Sequence, residues 1–146
     1  MQYEKTNLER PPPDAISDSV SLIHTVRKLY ATAYQIGTTL SKRDKLGIHS
    51  EIEKIILAVL QLTTRACFCA KIQKEQKINY LKEIRISLEV LKQFIRTEYE
   101  LHIITEKTYL MFVAVIIASS KETNNWLASL IKPRTQNPTL YWGLSC

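Results

Sequence analysis

Leu81, Ile84, Leu88, Leu91 and Ile95 recur at alternating steps of three and four. That spacing belongs to a helix burying one stripe against partner helices. Leu22, Val26, Leu29, Ala33, Ile36 and Leu40 form a similar seam, widened by Ile23, Tyr30 and Tyr34. A third seam runs through Ile48, Ile52, Ile55, Val59, Leu62, Ala66 and Cys69. The fourth apolar stretch, LMFVAVIIA from Leu110 to Ala118, has no polar side at all. These patterns predict an all-α, left-handed, up-down-up-down four-helix bundle, with helices near 18–40, 47–71, 77–102 and 105–131. The connections are the polar loop SKRDKLG, the charged loop KIQKEQK and a break near His102. Asp14 or Ser17, the pair Ser50 and Glu53, and Thr105 have the chemistry of helix N-caps.

The composition agrees with long helices. There are three glycines, and the prolines are confined to the two ends, so residues 14–132 contain few breakers. Residues 1–13 read as a flexible arm and 133–146 as a tail, disordered or docking, whose only docking features are Tyr141 and Trp142.

A helix apolar all round sits poorly on the outside of a monomer. Since every helix of a four-helix bundle has an outer face, a homo-oligomer is expected to cover the fourth helix. Phe112 and Val115 are the candidate interface residues.

Charge changes the picture on the third helix. Lys82, Arg85, Lys92 and Arg96, interrupted by Glu89, fall within roughly a quarter of the helix circumference beside the seam. On the second helix, Lys54 and Arg65 share an outward line with Ala58 and Gln61. Lys and Arg outnumber Asp and Glu by 20 to 14, a net of +6 over 146 residues. Gathered on one surface, such charge attracts phosphates; spread out, it is an ordinary solvated face.

No catalytic constellation is visible. His24, His49 and His102 are far apart in sequence without a ligand partner at helical spacing, so no metal or other cofactor is expected. Cys67 and Cys69 lie on or beside a seam, where cysteine behaves as a small hydrophobe. Three cysteines give no disulfide framework, and neither a signal region nor a membrane span is evident. The expectation is a soluble cytoplasmic protein that is not an enzyme.

The segments SKRDKLGIHSEIEK, KINYLKEIRISLEVLKQFIRTEYELHII and SKETNNWLASL resemble a four-helix-bundle family with two branches. One comprises the ribosomal-RNA intervening-sequence proteins; the other is the accessory variability determinant of diversity-generating retroelements. The first branch carries a Ser-x-Pro-x-Asn-Ile-Ala-Glu-Gly stretch where this chain reads ILAVLQLTTRACF, so the resemblance is closer to the second. It implies a ring-like homopentamer with a basic surface, binding a reverse transcriptase and its template RNA (DNA being a further polyanion) in support of mutagenic complementary-DNA synthesis. Arg85 and Arg96 would lead the contacts. The alternative is a structural or protein-interaction bundle of the intervening-sequence type with no polymerase partner.

Overall fold

The computed structural model describes residues 13–131, with side chains from Ser21 onward. Most of the expected N-terminal arm, the tail with Tyr141 and Trp142, and the capping side chains of Asp14 and Ser17 lie outside the described residues.

Four long helices, α1 (Pro13–Gly37), α3 (Ile48–Cys67), α4 (Lys74–Glu100) and α5 (Glu106–Ile131), form the bundle. Short α2 (Lys42–Leu46) and a 3₁₀ turn (Lys71–Gln73) fill two of the connections. Pro13 opens α1, where its fixed φ suits a first helical position. Contacts run α1–α3, α3–α4, α4–α5 and α1–α5, so α1 faces α4 across the bundle and α3 faces α5. Short connections force each long helix to pack antiparallel on the next. Among the described residues no strand occurs, and no helix there is long and apolar enough to cross a membrane.

The α4 seam is buried as its spacing predicts: Leu81, Ile84, Leu88, Leu91 and Ile95 are all fully enclosed. Each such side chain stabilises the fold by about 1.5–3 kcal/mol relative to an exposed one. The α1 seam follows its pattern from Leu22 to Ile36, with Leu40 half-buried beyond the helix.

Elsewhere the structure departs from the sequence pattern. The SKRDKLG stretch is a helical turn, because Ser41 accepts the Asp44 N–H at 3.3 Å and caps α2. On α3 the enclosed line is His49, Ile52, Ile56, Val59, Thr63 and Ala66. Ile48, Ile55 and Leu62 occupy its flank, half-buried. Thr63 tolerates burial because its hydroxyl donates to the Val59 carbonyl at 2.8 Å. Gly47 starts α3 with no side-chain cap, so Ser50 and Glu53 form no capping box there. The helix stops at Cys67, leaving Cys69 beyond it. Thr105 caps α5 as expected, accepting the Thr108 N–H at 3.2 Å.

Phe112 does not point outward. It is enclosed in the bundle's own core with Ile116, Ser119, Thr123, Trp126 and Leu127, and Val115 packs partly against the same core. Within the apolar run the outward residues are Leu110, Met111, Ala114, Ile117 and Ala118. An all-apolar run carries no periodicity from which its facing could be read.

Candidate functional site

Helical spacing places Lys82, Arg85, Glu89, Lys92 and Arg96 together along one flank of α4. Arg96 identifies the neighbour: its pKa is raised by the Glu100 hydrogen bond and charge, and further by Tyr109 of α5. Tyr109 in turn stacks on Tyr99, with ring centroids 4.7 Å apart and an interplanar angle of 17°. The cationic flank therefore borders the α4–α5 seam.

Its charges are not equivalent. Lys92 pairs with Glu89 at 3.0 Å and Arg96 with Glu100 at 3.0 Å. Both pairs lie within one turn of helix and are water-exposed on at least one side, where such bridges contribute ~0–1 kcal/mol. Lys82 and Arg85 are exposed and form no ion pair with a described residue. Those two leave the most unneutralised charge on this flank. Lys54 and Arg65 do share an exposed line on α3, but Lys54 is paired with Glu51 at 3.3 Å. Arg65 instead lines a surface groove with Leu57, Leu60, Gln61, Thr64 and Phe68. Two faces, one on α3 and one on α4, thus carry the sequence-predicted cations.

A polar cluster that the local pattern did not announce lies inside the bundle. His49 Nδ1 meets Glu98 Oε2 at 2.8 Å, and Nε2 meets the Ala33 carbonyl at 2.7 Å. Glu53 Oε2 stands 3.8 Å from Nε2. His49 and Glu98 are both fully buried. A carbonyl only accepts, so Nε2 carries a proton; Nδ1–H then donates to the carboxylate when the ring is charged. Burial alone pushes His49 down, but the Glu98 and Ala33 hydrogen bonds and the charges of Glu98 and Glu53 hold it above its ordinary 6.5. One imidazole ring thereby ties α3 to α4 and to the backbone of α1.

Two backbone features make room for this cluster. Gly37 ends α1, and a Cβ there would lie 3.1 Å from His49 Cδ2 and 3.4 Å from Glu53 Oε2. The end of α4 is closed by a Schellman motif, with His102 N–H bonded to Tyr99 O and Ile103 N–H to Glu98 O. His102 occupies its left-handed position at φ 63°. Glu98 Oε1 is buried with no hydrogen-bond partner among the described residues. Nor does any group of three or more His, Cys, Asp or Glu among them form a metal site. Cys67 packs against the core.

No family model, curated protein or solved structure matches this chain.

Proposed function

We propose that the chain is a non-catalytic interaction bundle that associates with further copies of itself through the outward face of α5. The observation that carries this reading is the exposure of Leu110, Met111 and Ile117, at 56%, 50% and 56%, with Ala114 between them and Ala118 beside Ile117. Contiguous apolar surface of this kind marks an interaction face.

Lys107 and Lys121 bracket that face. Two α5 faces packed antiparallel about a two-fold axis would set Lys107 against the partner's Lys121, a like-charge contact. The outward face of α4 offers a better match: Ile86 and Val90 are exposed beside Glu83, while Glu89 is held by Lys92. Packing α5 of one copy on α4 of the next is a heterologous contact, which closes into a ring when the rotation allows. A ring of five is what the family resemblance suggests.

A second reading adds a reverse transcriptase and its template RNA as partners of that assembly. Its support is the resemblance together with Lys82 and Arg85, whose charges no described carboxylate neutralises within ion-pair distance. Phosphate contacts would come chiefly from these two, with Lys92 and Arg96 contributing after exchange of their local partners.

Light scattering at micromolar concentration tests assembly. The native protein is expected to be oligomeric, and Ile117→Asp and Ile86→Asp are each expected to give a monomer. Silence of Ile86→Asp would replace the ring by a two-fold pair, and a monomeric native protein would reject self-association. For the polymerase reading, Arg85→Glu with Arg96→Glu should abolish reverse-transcriptase binding, or weaken RNA binding, while the helical spectrum is kept. Native RNA affinity should fall steeply between about 50 and 200 mM salt. Unchanged binding of both partners by the double variant would return α4 to the role of a solvated face.

A further inference from the structure

Phe68 and Ile72, which flank the start of the α3–α4 connection, stand 83% and 90% exposed. Their exposure is built into the backbone. Phe68 N–H bonds Thr64 O at 3.1 Å, closing α3. The 3₁₀ turn is then locked by Gln73 N–H on Ala70 O at 2.8 Å and Ala70 N–H on Gln73 Oε1 at 3.3 Å. The surrounding charge is one-sided: Arg65, Lys71, Lys74 and Lys77 against Glu75. None of these five forms an ion pair with a described residue. Phe68 also ends a groove of about 600 Å³ along α3, walled by Leu57 and Leu60 and carrying Gln61, Thr64 and Arg65.

We infer that this groove and turn bind single-stranded nucleic acid, with a base against Phe68 and phosphates on Arg65, Lys71 and Lys74. An exposed aromatic ring beside a line of cations is the pairing that stacks a base and neutralises its backbone. Gln61 adds an amide, donor and acceptor together, able to meet a base edge. An apolar peptide would cover the cations without supplying counter-charge. Duplexes keep their base faces stacked and inaccessible to Phe68. This inference does not depend on the α5 assembly or on the cationic flank of α4.

The test is fluorescence anisotropy of the full-length protein with a labelled oligouridylate of about twelve nucleotides, its deoxy equivalent and a duplex of the same length. Phe68→Ala, at an exposed position, should keep the helical spectrum and weaken single-strand binding about tenfold, leaving any duplex binding unchanged. Arg65→Glu with Lys71→Glu should weaken binding of single strands and of any duplex alike. The Arg85→Glu, Arg96→Glu variant separates the two surfaces: it should retain the Phe68-dependent step. Native-like single-strand affinity in Phe68→Ala would overturn the inference. So would a native preference for duplex, or an effect of Phe68→Ala confined to phosphatidylserine vesicles. Equal affinity for the ribo and deoxy strands fits stacking, whereas a ribose requirement that persists in Phe68→Ala would also overturn it.

Discussion

His49 and Glu98, separated by 49 residues of chain, meet at 2.8 Å with neither side chain touching solvent. Removing two charges from water is costly, and the pair compensates through short hydrogen bonds and mutual attraction. Its value is less net stability than position: it fixes where α3 sits against both α1 and α4.

The His49 pKa is raised on folding. A group of this kind contributes stability that is complete below its unfolded value, about 6.5, and is lost as pH rises through the higher folded value. The urea midpoint is therefore expected to fall as pH increases above about 6.5. The groups facing the imidazole are Glu98 from α4, Glu53 from its own helix and the Ala33 carbonyl from α1. In His49→Gln this part of the slope should vanish; an identical slope in both proteins would assign it elsewhere.

Glu98→Ala strands a buried imidazole and should destabilise the bundle by about 3–5 kcal/mol. Glu98→Gln should cost less. Its amide can donate to an unprotonated Nδ1 while Nε2–H stays on Ala33, a fully neutral arrangement. Paired denaturation curves check the order of the two variants.

Gly37→Ala sets two effects against each other. Replacing a helical glycine ordinarily gains about 0.5–1 kcal/mol. Here the new methyl would press on an imidazole held at both nitrogens, and overpacking costs about 1–3 kcal/mol. A net loss of stability is expected, and it should disappear in a His49→Ala background, where the neighbour is gone.

His102→Gly should stabilise the protein by about 1 kcal/mol, because a non-glycine residue at φ 63° carries a left-handed penalty. Thermal unfolding checks this directly, and a lowered midpoint would show that the imidazole has a compensating contact.

What was legible in the chain follows from where each hydrogen-bond partner lies. The α4 seam could be read outright, because every position from Leu81 to Ile95 on it is Leu or Ile. The α3 phase could not, since His49 and Thr63 take core positions while Ile48, Ile55 and Leu62 take the flank. Thr63 is satisfied inside its own helix, but His49 depends on an acid in another helix, and local periodicity has no access to such a pairing. On the cationic flank the positions were legible, but the pairs Glu89–Lys92 and Arg96–Glu100 were not drawn from them, although both have helical ion-pair spacing. The outward side of α5 was hidden by its uniform apolarity. The exposure of Phe68 escaped notice for another reason: it depends on where α3 ends, which a residue pattern locates only to within a turn.

The His49 cluster joins α1, α3 and α4, and none of its partners comes from α5. The fourth helix is held instead by apolar packing, the Tyr99–Tyr109 stack and the Ser21–Glu122 hydrogen bond. Three staves of the barrel share one buried polar tie, and the fourth has polar links to them only nearer the surface. That asymmetry predicts an order of opening: in native-state hydrogen exchange α5 is expected to lose protection before the trio that keeps its polar tie. An α5 that opens in this way would also be the helix to exchange between copies, should the chain self-associate as proposed.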